Sequence, residues 1–414
     1  MRGRTFLIAA GFACAIAASL EGQEPVTRPT VPPSPPPDPA IKALVARLDL
    51  EKYKATVKGL TQFGDRRQGT SRNRAAIDWI EAQLKSYGCA NTERIKYEYT
   101  RRQVNAPPSA GRGRGAGSGS TRNGPGGSVI FGNRARTGVN MNPAAQPDEN
   151  IRQSDMEPDE PGPREEVFCT KIGSTHPDEM YIIGGHMDGH GYNQAANDDG
   201  SGTALVMELA RIFSEPDVKT DRSIRFALWN NEETGLNGAI AYVNQRKDLQ
   251  GKESPAGSGA YPEPKWLGMI QHDMMMWDHG MPGPDGKVSL EQRPEADVNI
   301  EFQMSSKMVD ASQKLAWAFK QANERYATDY PATVGPHMTN TDSEPFMDLV
   351  PSISLRENER GSQIGGGWDP NWHQPTDVFI TYSDKDFRLG LNAAQTTLAA
   401  VATLAGLTLT KSGM

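Results

Sequence analysis

Five residues able to bind a transition-metal ion follow one another along the chain, each in a short polar motif. His186 and Asp188 stand in Tyr181-Ile-Ile-Gly-Gly-His186-Met-Asp188, and Asp198 heads Asp198-Asp199-Gly-Ser-Gly202. Glu233 lies in Asn231-Glu232-Glu233-Thr-Gly235, Asp273 in Gln271-His-Asp273, and His373 in Trp372-His373-Gln-Pro-Thr-Asp377. The donors are imidazole and carboxylate with no thiolate, which suits catalytic zinc rather than a closed structural site.

Two zinc ions held roughly 3.5–4 Å apart need a carboxylate that bridges them. Asp198, at the head of a tight turn, can aim its two oxygens at different ions. His186 and Asp273 can complete one ion, Glu233 and His373 the other. Asp188, two residues past His186, is placed to hold that imidazole from behind, and Asp377 can do the same for His373. Glu232 and Glu233 are neighbours whose side chains diverge, so one can bind metal while the other faces the attacking water and accepts its proton.

These residues need a rigid frame. From residue 181 onward strand and helix patterns alternate: strands over 181–185, 223–229, 266–271 and 352–355, helices over 202–213, 236–245, 307–327 and 386–404. Ser201 is the expected N-cap of the first of these helices. Upstream, helical spacing runs through Ile41–Leu60 and Ser71–Tyr87, and strands are expected over 93–100 and 166–173. The alternation predicts an α/β three-layer sandwich, a mixed and mostly parallel central sheet with helices on both faces. His186, Glu232 with Glu233, and Asp273 each follow a predicted strand, where open α/β sheets collect their sites.

The motifs, in this order, resemble the co-catalytic di-zinc exopeptidases, the family of bacterial leucyl aminopeptidase, aminopeptidase Y and glutamate carboxypeptidase. The resemblance runs over about residues 41–410 and is most specific from Tyr181 to Asp377. It implies the zinc exopeptidase fold, two zinc ions per chain, a peptide substrate cut at its N-terminus, Glu232 as general base and Asp198 as bridge. One departure stands at Thr341-Asp-Ser343-Glu-Pro-Phe346, where family members often carry histidine in place of Ser343. Within the same resemblance, a carboxypeptidase of the glutamate carboxypeptidase type, a glutaminyl cyclase and a non-catalytic receptor-like ectodomain are the alternatives. His337 competes with His373 for the last ligand position. His176, His190, His272 and His279 have no motif support, and surface or outer roles are expected of them.

The remaining sequence sets the context. The chain has 414 residues and a net charge of −7, with no basic stripe to suggest a nucleic-acid partner. Residues 1–22 read as an export signal, with Arg2 and Arg4 ahead of a short apolar run, so a periplasmic or extracellular location is expected. No segment approaches the about 20 apolar residues of a membrane span. Residues 23–40 read as a proline-rich tether, 41–414 as the zinc peptidase domain, and about 103–130 as a flexible Gly-rich excursion within it. The acidic stretch 146–165 reads as a solvated loop. Without Cys14 of the signal, Cys89 and Cys169 remain, and an exported protein can bridge them.

Overall fold

The computed structural model describes residues 36–89, 91–99, 139–279, 287, 298–336, 341–357 and 369–410. The expected signal, nearly all of the tether, the Gly-rich excursion and His337 lie outside the described residues.

Three amphipathic helices come first: α1 (Pro39–Val45), α2 (Leu50–Thr61) and α3 (Ser71–Ser86). Their starts are fixed by Asp38, Asp49 and Thr70, whose side chains accept amide N–H groups that have no intrahelical partner. The helix therefore takes in the last two residues of the expected tether. Strand β1 (Glu93–Tyr99) follows, and after it a short helix α4 (Glu149–Asp155). That helix corrects the expectation of a solvated loop over 146–165. Asp148 caps it, accepting from the amides of Asn150 and Ile151, and Asp155 is buried with Oδ1 2.9 Å from Arg72 Nη1. An acidic residue reads as solvated until its cationic partner, 83 positions earlier, is brought to it.

The central sheet is built from β1, β2 (Gly162–Lys171), β3 (His176–His186), β5 (Arg222–Trp229), β6 (Lys265–His272), β7 (Val298–Glu301), β8 (Ala332–Gly335) and β9 (Ser352–Glu357). Its order is β1-β2-β5-β3-β6-β9-β7-β8. The middle of the sheet, β5-β3-β6-β9, is parallel, as is β7-β8, while β1-β2, β2-β5 and β9-β7 are antiparallel. The four-residue β7 and β8 were not expected, being too short to show a period. A separate ribbon pairs β4 (Val218–Thr220) with β10 (Leu407–Leu409).

The connections explain the layers. From β3 the chain crosses through α5 (Gly200–Phe213) to β5 on one side, then returns through α6 (Asn237–Arg246) to β6 on the other. Crossovers of one handedness running in opposite directions place their helices on opposite faces. Helix α5 accordingly packs with α1, α2, α3, α7 (Val309–Tyr326) and α8 (Asp384–Ala405) in one core that includes Val57, Ile80, Leu205, Phe226, Phe319 and Leu398. On the other face α6 closes an aromatic cluster in which Tyr242 lies 5.2 Å from Trp229 and 5.8 Å from Trp266, ring to ring. Phe346 of the Thr341–Phe346 motif completes it, 5.3 Å from Trp266. The reversal at β3 opens a crevice beyond its carboxyl end. Among the described residues no helix is long and apolar enough to cross a membrane.

A disulfide joins Cys89, just past α3, to Cys169 on β2, with Cα atoms 6.0 Å apart and 80 positions between them. Closing a loop of that length restricts the unfolded chain by about 4 kcal/mol in the chain-entropy model. The denatured, unreduced protein is expected to show no reactive thiol at either position. Cys89→Ser combined with Cys169→Ser is expected to lower unfolding stability in urea by about 2–4 kcal/mol. Two titratable thiols in the unreduced chain contradict the bridge.

Candidate metal centre

Strand β3 delivers His186 at its last residue, almost wholly buried. Nδ1 lies 3.0 Å from the main-chain carbonyl of Asp188, so this nitrogen carries the proton and donates it, leaving Nε2 as a lone-pair donor. The carboxylate of Asp188 is farther away, 3.8 Å from Nδ1, and instead accepts the backbone N–H of Glu232 at 3.0 Å. Asp188 thus holds His186 through its backbone and the Glu232 loop through its side chain.

The loop between β3 and α5 carries Asp198. Oδ1 of Asp198 is 3.3 Å from His186 Nε2 and Oδ2 is 2.8 Å from His373 Nε2, so its two oxygens face two imidazoles from different ends of the domain. Three supports for this loop were not visible in the sequence. Asp199, rather than Ser201, caps α5: its oxygens accept from the amides of Gly202, His186 and Met274, tying together the helix start and the ends of β3 and β6. Arg66, fully buried, donates to the carbonyls of Met187, Gln194 and Ala195. Asp377 accepts from the amides of Asn197 at 2.8 Å and Asp198 at 3.2 Å. That corrects the expected role of Asp377 as the partner of the His373 ring. His373 itself has φ 57°, in the left-handed region, and the turn it makes carries Asp377 towards the Asp198 loop.

Glu232 and Glu233 follow β5, and Asp273 follows β6. Oδ1 of Asp273 lies 3.7 Å from His186 Nε2, while Oδ2 is held by the Arg356 guanidinium from β9. Glu233 Oε2 lies 3.1 Å from His373 Nε2 and 3.1 Å from His190 Nε2. All five sequence-predicted ligands are therefore gathered, in two groups: His186, Asp198 and Asp273, and His373, Glu233 and the unexpected His190, with Asp198 reaching both. His272 is excluded as a ligand, since Nδ1 sits 3.2 Å from the Gly184 carbonyl and Nε2 2.8 Å from Thr397 Oγ1, and burial pushes its pKa down to about 4. His279 pairs with Asp386 at 3.1 Å, away from both groups. Ser343, at the departure from the family pattern, is buried against Ser354 Oγ at 2.8 Å.

The donor spacing fits metal ions. A tetrahedral ion with bonds of about 2.0 Å sets its ligand atoms about 3.3 Å apart. Glu233 Oε1 and Asp198 Oδ2 are buried and satisfy no hydrogen-bond geometry, as expected of atoms arranged around a cation. Asp188, Asp198, Asp199, Glu232, Asp273 and Asp342 are all at least nine-tenths buried, and the side chain of Glu233 is 7% exposed, a concentration of carboxylates that the histidines and Arg356 only partly offset.

Electrostatics separates the two adjacent glutamates. Burial, joined by the charges of Glu233, Asp342 and Asp273 and opposed by His186, pushes Glu232 well above the ordinary carboxylate range. Burial acts on Glu233 in the same direction, but the imidazoles of His190 and His373 hold it down at about 2. Two neighbouring carboxyls driven apart in this way divide into one that keeps its charge and one that can carry a proton. Backbone strain gathers at the same place: Asn231 before Glu232, Met274 after Asp273, and His373 all have positive φ.

A mostly parallel sheet covered on both faces, with imidazole and carboxylate donors converging beyond the ends of its middle strands, defines a metallohydrolase-type scaffold. The model of Peptidase family M28 matches residues 167–388, more than half of the chain, and the chain belongs to that family. It is 38% identical over 79 residues to aminopeptidase YwaD of Bacillus subtilis (strain 168), covering 19% of this chain and 17% of that protein. It is 33% identical over 76 residues to carboxypeptidase Q of Xenopus laevis, covering 18% of this chain and 16% of that one. The chain thus spans about a sixth of the length of the curated relatives it matches. In three dimensions it is similar to the aminopeptidase from Aneurinibacillus sp. strain AM-1, with a TM-score of 0.56 at 20% identity, over 91% of this chain and 98% of that one.

Proposed function

We propose that this chain is an exported di-zinc exopeptidase that removes residues from the N-terminus of peptides. The observation that carries the reading is Asp198, whose two oxygens face imidazoles of two separate donor groups. Asp198 would bridge the ions, His186 and Asp273 would complete one, and Glu233 and His373 the other. When bound, the ions would supply a more acidic water and polarise the scissile carbonyl.

The chain's own residues do the rest. Glu232, held by its backbone on Asp188 Oδ1, takes the proton from the attacking water and passes it to the departing amine. Its raised proton affinity, which comes first from burial, suits both halves of that transfer. Arg356 fixes Asp273 so that one oxygen stays turned towards His186. A cavity beside the centre, lined by Arg67, Tyr99, Asp188, His190, Tyr192 and Glu233, gives one end of a peptide room next to the ions. Arg67 is the group a carboxypeptidase would use, but its Nη2 donates to the carbonyls of Asp155 and Glu157. The Cys89–Cys169 disulfide supports an oxidising compartment.

A panel of aminoacyl amides assayed beside N-blocked peptides with free C-termini tests the reading. Release from the amides alone is expected. Cleavage confined to the N-blocked peptides would establish carboxypeptidase action, and cyclisation of N-terminal glutamine with one zinc per chain would establish the cyclase alternative.

A further inference from the structure

We infer that His190 is a fourth protein ligand of the second ion, which makes the two metal positions unequal in how far the protein closes them. The inference rests on the two-ion reading above. His190 lies in Asp188-Gly-His190-Gly-Tyr192, four residues past His186, and its side chain is 19% exposed. Its Nε2 is 3.1 Å from Glu233 Oε2 and 3.2 Å from His373 Nε2. His373 Nε2 is itself 3.1 Å from the same Glu233 oxygen. The three atoms form a near-equilateral triangle whose sides match one face of a zinc tetrahedron, about 3.3 Å on edge. His190 Nε2 is also 3.2 Å from His373 Nδ1, and the rings meet edge to face with centroids 4.1 Å apart.

The choice of atoms speaks for ligation. A side chain that merely steadied Glu233 from outside would approach Oε1, the oxygen turned from His373. His190 approaches Oε2, and Oε1 accepts no hydrogen bond. With Asp198 Oδ2 2.8 Å from His373 Nε2, the second group offers four protein donors against three in the first.

The loop is also built to hold His190 there. Asn193 Nδ2 donates to the carbonyls of His190 and Gln374 at 3.0 and 2.9 Å, stapling the two histidine loops together. Gln146 Nε2 repeats the staple between Tyr192 and Pro375 at 2.8 and 2.9 Å. Gly191 has φ 113°, and a Cβ there would come within 2.6 Å of the His373 carbonyl oxygen, so the approach of the loops depends on glycine. Four protein ligands complete a tetrahedron, whereas three leave a position open. The second ion is then the retained one and the first the exchangeable one.

Chelator competition on the zinc-loaded protein, with zinc counted per chain, tests this in wild type, His190→Ala and His190→Gln. Circular dichroism confirms that each variant is folded. Two-step removal is expected from wild type. In both variants one ion is expected to weaken by more than about 100-fold, beyond the 10–100-fold cost of losing an outer partner of a ligand. Zinc X-ray absorption is expected to count three imidazoles over two ions in wild type and two over two in a His190→Gln sample loaded with excess zinc. Unchanged affinity, or an unchanged imidazole count in that variant, overturns the inference while leaving the two-ion reading intact. A wild-type protein that takes up fewer than two ions overturns both.

Discussion

Asp198→Ala is expected to purify with neither ion and with no measurable turnover. One oxygen of this residue faces His186 and the other His373, so a single substitution takes a donor from both groups at once. Loss of a direct ligand should weaken each ion by more than about 100-fold, the upper cost of losing an outer partner. The fold is expected to survive, because Asp199 and not Asp198 caps α5 and ties the ends of β3 and β6. Metal analysis by mass spectrometry, paired with circular dichroism, provides the check. Two ions still bound per chain would remove Asp198 from its bridging role.

Glu232→Ala separates chemistry from metal binding. The variant is expected to keep its full metal content and its melting temperature within a few degrees, yet lose about 10²–10⁴-fold in kcat, the usual contribution of a positioned acid–base group. The backbone N–H of residue 232, and its bond to Asp188, survive the change. Glu233→Ala should behave differently, losing metal first, since Glu233 Oε2 lies 3.1 Å from both His373 Nε2 and His190 Nε2. Near-normal kcat in the Glu232 variant would show that the proton passes through another group.

Three of the donors legible in the sequence, His186, Glu233 and Asp273, share a property: each sits in a motif of small and polar residues just past a strand-like run. His186 after Ile182-Ile183 and Asp273 after Ile270 are examples, and the sheet places both at its carboxyl edge. The supports were illegible for a physical reason. Arg66, Arg356 and Asp199 are charged residues whose partners leave no mark along the chain, and only the fold brings Arg356 to Asp273 and Arg66 under the Asp198 loop. His190, a histidine between two glycines, carries no periodic signal, and its neighbours His373 and Glu233 are distant in sequence. Spacing alone pairs Asp377 with His373, whereas the left-handed turn at His373 sends it to the amides of Asn197 and Asp198. The layers of the sandwich were legible, and the unequal cover of its two faces was not, because periodicity says where a helix runs but not which face it joins.

The six buried carboxylates around the centre, with Glu233 beside them, make the native state a saturable function of cation concentration. Each ion that binds the folded chain and not the unfolded one adds RT ln(1 + [L]/Kd), about 2.7 kcal/mol when free metal exceeds its Kd 100-fold. Melting temperature is therefore expected to climb with the logarithm of free zinc and to fall when a chelator is added, most steeply where both ions are lost. A protein whose melting curve ignores free zinc from the nanomolar to the millimolar range would have to neutralise that acidic cluster with protons instead. On the exported location proposed above, resistance to unfolding and to the proteases that follow it would then be set by the zinc its surroundings supply.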